Sequence, residues 1–321
     1  MKNFQCHCGQ TLFFENTMCL NCSNQVGFDP TSFTMGPVGD RRLCKNSADY
    51  DVCNWLVVGD GDYCISCALN QTIPNLLEPN RRRWWKSLEH AKRRLIYSLL
   101  RLNLPIVGWQ QRDNGLAFQF IEDKRTNPDV YEDYVSTGHL NGLITINIAE
   151  ADDVSREISR QFSGELYRTL LGHFRHEIGH YYFHELVERG TALQEFRQLF
   201  GDETQDYGAA LASYYANKQG VVTSPDFISH YAQSHPLEDW AEVWAHYLHM
   251  VDTLETARQY EMQQGSKRWD DIDELLMKWS DLTIMLNALN RSMGLEDAYP
   301  FTLGEGAFKK LRFVHDLIYP S

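Results

Sequence analysis

Hydrophobic residues recur at helical spacing along much of the chain. The clearest stretch is residues 84–102, where one face of a helix would carry five apolar side chains. These side chains are Trp85, Leu88, Leu95, Leu99 and Leu102. Similar patterns predict helices over residues 163–188, 205–217, 236–264, 270–293 and 305–318. The larger, C-terminal part of the chain is therefore predicted to be mainly helical.

Two shorter stretches have the pattern of β-strands. Residues 143–148 carry isoleucine at every second position, at Ile144, Ile146 and Ile148, so one face of this strand is predicted to be buried. Residues 116–121 form the second predicted strand. A few strands followed by many helices are typical of an α+β fold, here with a small antiparallel or mixed sheet.

The first 75 residues have a different composition from the rest. All eight cysteines of the 321-residue chain lie between Cys6 and Cys67. This segment is also rich in Gly, Asn and Asp, which indicates hairpins and tight turns rather than helices. The N-terminal segment is therefore predicted to be a separate module with chemistry of its own.

The expected compartment of the protein decides what these thiols do. The sequence begins without the apolar stretch of a signal peptide and has no apolar run of about 18–20 residues. We therefore expect a cytoplasmic protein that does not contact a membrane, with clustered cysteines that bind metal. Disulfides or free thiols are the alternative.

The cysteines divide by spacing into two quartets. The first, C-x-C-x10-C-x2-C, consists of Cys6, Cys8, Cys19 and Cys22. The second, C-x8-C-x10-C-x2-C, consists of Cys44, Cys53, Cys64 and Cys67. Each quartet can surround one tetrahedral zinc ion, whose binding then contributes to folding. We predict two structural zinc sites, with His7 as an alternative ligand in the short first pair and cross-pairing of the quartets left open.

A histidine cluster in the helical part predicts a third zinc site. The sequence His176-Glu177-Ile178-Gly179-His180 matches H-E-x-x-H. On a helix, His176 and His180 lie one turn apart and can bind one zinc ion, while Glu177 can take a proton from a water molecule on that ion. Gly179 leaves room for close helix packing. His173 and His184 continue the stripe and are expected in the core or behind the ligands.

A catalytic zinc ion needs a third protein ligand, and the segment from His235 to His246 offers one. Glu238 and Glu242 lie one turn apart among tryptophans and alanines, so they are predicted to be buried and in need of partners. We choose Glu238 as the ligand and Glu242 as the residue that orients a ligating histidine. The reverse assignment stays open, as does His246 as the ligand.

The reaction also needs a hydrogen-bond donor for the developing oxyanion. Tyr231 precedes Glu238 by seven residues and is our candidate, with His230 and His235 as alternatives. An ordinary half-buried tyrosine is the simpler interpretation of Tyr231.

Charge is unevenly distributed along the chain. Residues 1–110 carry 12 Lys+Arg and 9 Asp+Glu, whereas residues 111–321 carry 18 and 34. The acidic part argues against nucleic acid as a partner. The basic run Arg81–Arg94 includes Trp84 and Trp85 and could bind RNA or single-stranded DNA. We expect instead a helix face that balances acidic neighbours.

Several motifs together resemble a known bacterial family of zinc-binding metallopeptidases with an N-terminal zinc ribbon. They are the cysteine ribbon, H-E-I-G-H-Y-Y-F, H-P-L-E-D-W-A-E-V-W-A-H and the segments 252–257 and 310–315. The later E-x-x-A-E is also similar to that of zincins with a glutamate ligand, such as the catalytic domain of anthrax lethal factor. By that resemblance the first Glu binds zinc and a tyrosine seven residues earlier faces it, which implies Glu238 and Tyr231 here.

The sequence thus predicts a zinc-dependent metallopeptidase with three zinc ions. The expected domains are a zinc-ribbon module over 1–78, a basic helical linker over 79–110 and a zincin-like peptidase domain over 111–321. The substrate would be a peptide or protein, pairing with residues 143–148 as an edge strand. The alternatives are a catalytically silent protein whose ribbons bind a protein partner, and a regulator associated with nucleic acid.

Overall fold

The structure is a computed structural model that describes residues 2–124, 127–153, 156, 169–217, 224–263 and 269–320. Its chain divides into two compact units, Met1–Ser159 and Arg160–Ser321. Among the described residues, no helix is both long enough and apolar enough to cross a bilayer.

The N-terminal part of the first unit consists of two small hairpins. Strands β1 (Phe4–Gln5) and β2 (Thr11–Leu12) form the first, and β3 (Val26–Asp29) and β4 (Thr34–Pro37) form the second, both antiparallel. A four-residue helix α1 (Lys45–Ala48) and a short 3-10 turn (Cys67–Leu69) follow. The hairpins and turns predicted for this segment are confirmed.

A long helix and a mixed sheet complete the first unit. Helix α2 (Pro79–Arg101) begins with proline at its first position, where no backbone N–H is needed. The sheet contains β5 (Asn70–Thr72), β6 (Ala117–Ile121), β7 (Gly138–Leu140) and β8 (Leu143–Asn147) in the order β5-β6-β8-β7. β5, β6 and β8 run parallel, and β7 pairs with β8 antiparallel.

The predicted edge strand is not at an edge of this sheet. β8 pairs along its length with β6, from Ala117 opposite Leu143 to Ile121 opposite Asn147, and with β7 on its other side. Its backbone groups are therefore already used by two neighbouring strands. The prediction that residues 143–148 pair with a substrate as an edge strand was wrong, although the alternating isoleucines are buried as expected.

The second unit is helical over its described residues. Its helices are α3 (Leu170–Tyr182), α4 (Leu193–Phe200), α5 (Tyr207–Asn217), α6 (Pro236–Gln259), α7 (Ile272–Ser292) and α8 (Glu305–Ile318). α6 packs against α3, α4, α7 and α8, so it lies at the centre of the unit. Its buried tryptophans, Trp240 and Trp244, contact each other and rings from the surrounding helices.

These elements confirm the α+β fold, with a segment of hairpins and turns at its N-terminus. The predicted helix over 163–188 is observed as α3 followed by a π-helical segment, Phe183–Glu188, and its residues 163–168 lie outside the described part of the chain. α4 was not predicted. The bounds at 78 and 110 proposed for the domains remain predictions, and strands β6 to β8 belong to the first unit.

Candidate metal centres

The first cysteine quartet forms one compact group. Cys6 Sγ lies 3.7 Å from Cys22 Sγ, and Cys8 Sγ lies 3.6 Å from Cys19 Sγ. Ligands of a tetrahedral zinc with Zn–S bonds near 2.3 Å would be about 3.8 Å apart, whereas a disulfide needs about 2.05 Å. None of the eight cysteines forms a disulfide. The distances fit a metal and exclude disulfides.

The second cysteine quartet is grouped in the same way but is more deeply buried. All of its four cysteines are buried, whereas Cys8 and Cys22 of the first quartet are partly exposed. Cys53 Sγ lies 3.7 Å from Cys64 Sγ, and the backbone N–H groups of Trp55 and Cys67 point at these two sulfurs. The quartets pair as the spacing predicts, and His7 belongs to neither group.

The basic residues of α2 are used inside the first unit. Arg82 donates to the carbonyl of Tyr50 and Lys86 pairs with Asp51. Further ion pairs join Arg81 to Glu122, Arg94 to Glu15 and Lys92 to Glu89. Arg93 is only 2% exposed and donates to the carbonyl of Val52, beside the second quartet. Most of this positive charge therefore balances acidic or carbonyl groups of the same unit.

The third group is built where α3 crosses α6. At Gly179 the two backbones come so close that a Cβ atom would lie 3.0 Å from the Cα of Ala241 and 3.2 Å from the Cβ of Trp244. The indole of Trp240 donates to the carbonyl of Gly179 at 2.7 Å. The close packing expected of this glycine is confirmed, and it brings the face of α3 that carries His176 and His180 onto α6.

Glu238 of α6 lies between the two histidines of α3. Its Oε2 is 3.0 Å from His176 Nε2 and its Oε1 is 3.4 Å from His180 Nε2. The donor atoms of all three residues lie within 4.8 Å of one another. Ligands of a tetrahedral zinc at 2.0–2.1 Å would be about 3.3 Å apart. Two imidazoles and one carboxylate at these separations fit a zinc ion.

Glu242 contacts the other side of the first histidine. The Nδ1 atom of His176 donates to Glu242 Oε1 at 2.8 Å, which leaves Nε2 as the atom that faces Glu238. Burial lowers the pKa of His176, but the hydrogen bonds and charges of the two carboxylates raise it well above its ordinary value. Burial lowers the pKa of His180 to about 4. Glu238 thus lies within the three-residue group and Glu242 lies behind His176, while the roles of ligand and orienting residue stay predictions.

Three more side chains surround this group. Glu177 is buried on α3 next to His176, and the ring of Tyr231 lies 6.0 Å from the His176 ring. Burial and the charge of Glu238 raise the pKa of Tyr231, so its hydroxyl stays protonated. Tyr207, which was not predicted, donates to Glu238 Oε1 at 2.8 Å. Only the predicted helix that begins near Tyr207 hinted at this residue, and no spacing pointed to its side chain.

The other histidines considered from the sequence have different partners. His230 Nδ1 lies 2.6 Å from the Tyr214 hydroxyl, and His235 accepts from the N–H of Leu237 at the start of α6. His246 lies 2.9 Å from the Tyr299 hydroxyl, and His184 pairs with Glu188 on the surface. None of the four belongs to the three-residue group, whereas Tyr231 faces it. His173 also lies outside that group.

Comparisons with known proteins give two family matches and several relatives. A family model described as "Putative zinc-binding metallo-peptidase" matches residues 80–317, and one described as "zinc-ribbon domain" matches residues 3–78. Relatives from Mycobacterium bovis and Mycobacterium tuberculosis are each 41% identical, over 99% of this chain and 95% of their own length. Both are described as uncharacterized proteins. No solved structure matches the chain.

Proposed function

The chain belongs to the family of zinc-binding metallo-peptidases whose model covers residues 80–317, and on that premise we propose that it hydrolyses peptide bonds in a zinc-dependent reaction. The observation that carries the proposal is the group of His176, His180 and Glu238, with Glu177 beside it. Three protein ligands leave one position of a tetrahedral ion open for a water or a substrate, which is the arrangement of catalytic rather than structural zinc sites.

Each residue near the group has a role in this proposal. A zinc ion bound there would supply Lewis acidity and lower the pKa of a water molecule. Glu177 takes the proton of the attacking water and passes it to the amine that leaves. Glu242 accepts from His176 Nδ1 and so fixes the tautomer in which Nε2 carries a lone pair.

Tyr231 is the proposed donor to the oxyanion. Its hydroxyl stays protonated because burial and the negative charge of Glu238 raise its pKa. A protonated phenol can donate a hydrogen bond to the carbonyl oxygen of the substrate as negative charge develops there. Removal of such a donor from other enzymes costs about 10²–10³-fold in rate, so Tyr231→Phe should lose activity on that order.

The two cysteine quartets supply two structural zinc sites in addition to the catalytic one. Four cysteines fill the coordination sphere of each ion, so these sites bind metal without offering it to a substrate. The full chain would therefore bind three zinc ions. Nucleic acid is not the proposed partner, because most basic residues of α2 pair with acidic groups of the first unit.

Metal counting joined to an activity assay tests the proposal. Purified, metal-replete protein is expected to contain three zinc ions and to cleave an unfolded protein such as casein or members of a peptide library. Glu238→Ala should lose or weaken one zinc ion, and Glu177→Gln should keep three and lose cleavage. Glu195→Gln, an exposed carboxylate on α4, is the control that should retain both.

Two results would contradict the proposal. If the metal-replete parent binds only two zinc ions, the proposed catalytic zinc site does not exist. If the Glu177→Gln variant cleaves at the parent rate, Glu177 is not the general base.

A further inference from the structure

The tyrosine that the sequence did not predict makes a close contact with the third metal group. The Tyr207 hydroxyl donates to Glu238 Oε1 at 2.8 Å. Glu238 is 1% exposed, so water does not compete freely for its oxygens. A buried carboxylate needs partners on both oxygens, and one of the two is satisfied here by the hydroxyl of a neutral side chain.

The two oxygens of Glu238 therefore have different surroundings. Oε2 lies 3.0 Å from His176 Nε2, at the separation expected of two ligands on one ion. Oε1 lies 3.4 Å from His180 Nε2, a separation that also fits two ligands of one ion, but this oxygen accepts in addition from Tyr207. A hydroxyl on Oε1 draws electron density from that oxygen, which makes Oε2 the better ligand.

Tyr207 is itself held in place by the residue that starts the ligand helix. The Tyr207 ring lies 5.1 Å from the ring of His235, in an edge-on contact. His235 caps α6 by accepting from the N–H of Leu237, and its Nε2 lies 3.2 Å from the carbonyl of Gln205. The same buried imidazole thus contacts the Tyr207 ring and caps the first turn of α6, where Glu238 lies.

We propose that Tyr207 is a positioning residue whose hydroxyl occupies one oxygen of Glu238, so that the carboxylate binds zinc through the other oxygen alone. This matters because binding through both oxygens would fill the position that a catalytic zinc needs for water or substrate. The inference rests on the proposed metal site, but it makes a claim about coordination rather than about cleavage.

The role differs from that of Tyr231. Tyr231 packs against the His176 ring from the 3-10 turn Tyr231–Ser234, and its hydroxyl also interacts with Glu238 and Tyr207. Tyr207 approaches Glu238 from the start of α5 and donates to its Oε1. Loss of the Tyr231 hydroxyl should lower kcat more than it weakens metal binding. Loss of the Tyr207 hydroxyl should change the metal site itself.

Metal binding by Tyr207→Phe in the full chain tests this. The ribbon sites stay filled with zinc, the third site is emptied with a mild chelator, and zinc and then cobalt(II) are added back. The variant should bind zinc at the third site about 10- to 100-fold more weakly, as is typical when a residue behind a ligand is lost. The cobalt form should absorb less strongly in the visible range, because a second carboxylate oxygen raises the coordination number.

A matched hydroxyl deletion controls for the substitution. Tyr260→Phe changes a tyrosine at the far end of α6, about 36 Å along the helix from its start, and should leave affinity and spectrum unchanged. Thermal unfolding of the metal-free forms verifies folding, which is expected because phenylalanine keeps the ring and Tyr207 is 45% exposed. An unchanged affinity and cobalt spectrum in Tyr207→Phe would overturn the inference, whereas a parent without a third metal would overturn the proposed function.

Discussion

His246 is a buried histidine that the fold keeps neutral. It is 6% exposed, lies against Tyr299 and Phe301, and has Glu242 and Arg175 as its charged neighbours. Burial lowers its pKa from 6.5 to about 4, although the charge of Glu242 opposes the shift. Because the unfolded chain then binds a proton more readily than the folded one, stability is full above pH 6.5 and is lost as the pH falls toward 4.

We expect His246→Asn to reduce this pH dependence. The contribution of His246 should fall by about 1 kcal/mol between pH 7 and pH 5.5, given 1.36 kcal/mol per unit of pKa shift. Urea unfolding at several pH values measures it. The variant should be less stable at pH 7, because it loses ring contacts, yet its stability should change less with pH.

His184→Asn is the matched control for His246. Its ring is on the surface of the π-helical segment, where it pairs with Glu188. This variant should show the slope of the parent. An equally steep profile for His246→Asn would mean that other groups cause the loss of stability in acid.

Individual residues of the site were predictable mainly where spacing on one helix linked them, with Tyr231, seven residues before Glu238, as the exception. His176 and His180 are one turn apart on α3, and Glu238 and Glu242 are one turn apart on α6, so periodicity alone could pair them. The contact of Tyr207 with Glu238 spans 31 residues and depends on how α5 meets the start of α6. No local rule of sequence carries that information.

The crossing of α3 and α6 places strict limits on side-chain volume. We expect Gly179→Val to destabilise the protein by roughly 2–4 kcal/mol, because even a Cβ atom would lie 3.0 Å from the backbone of Ala241. The third zinc should also bind more weakly, since the helices that carry its ligands are pushed apart. Thermal unfolding and zinc titration measure the two effects.

Gly208→Val supplies the comparison for Gly179. Gly208 is in α5, where an added Cβ atom would meet only Asp206 Oδ1, at an ordinary 3.5 Å. Its substitution should change stability by less than about 0.5 kcal/mol. Similar losses for the two variants would contradict the account of close packing.

Helix α2 is joined to the second cysteine quartet through Arg93. Burial lowers the pKa of Arg93, but the thiols of Cys53 and Cys67 and the carboxylate of Glu89 raise it overall. Four thiolates on a zinc ion leave a net charge of about −2, which a buried cation stabilises.

Arg93→Gln should therefore weaken zinc binding by the second quartet. We expect transfer of this zinc to a coloured chelator to become about 10- to 100-fold faster or more complete. Arg83→Gln removes an exposed arginine from the same helix and should behave like the parent. Equal release from both variants would show that α2 does not support the metal.

Most elements could be predicted from their periodicity, and the exceptions have physical reasons. The predicted helix over 236–264 begins at Pro236 as expected, because Pro236 and the His235 cap mark its start, but it ends at Gln259, where Tyr260 caps it. β8 was misplaced at the sheet edge, since alternation reports which face is buried but not which strands lie on either side. α4 was missed because a helix of eight residues carries only two buried aromatic side chains, Phe196 and Phe200.

The whole chain consists of two compact units, and the division can be tested with fragments. Residues 1–159 alone should fold and bind two zinc ions, and residues 160–321 alone should bind one. Residues 111–321 should be less stable than 160–321, because they carry β6 and β8 without β5 and α2. Circular dichroism, unfolding and metal counting of the three fragments test this.

One result of this fragment comparison would contradict the division at residue 159. Greater stability of residues 111–321 would favour the domain bounds that composition predicts. Composition located the metal-binding segment correctly, because clustered cysteines are themselves the predicted metal ligands. It could not reveal that a strand directly after the last cysteine, β5, pairs with β6 more than forty residues later.

The contact of one imidazole with two carboxylates has a consequence for how such a chain can change over evolutionary time. His176 contacts Glu238 with one nitrogen and Glu242 with the other. One residue inserted or deleted between them would rotate the second carboxylate by about 100° around the helix, away from the ring. Substitutions there can be accepted one at a time, but changes of length cannot. Descendants of this chain should therefore gain and lose residues in their connecting loops, while the five-residue interval from Glu238 to Glu242 keeps its length.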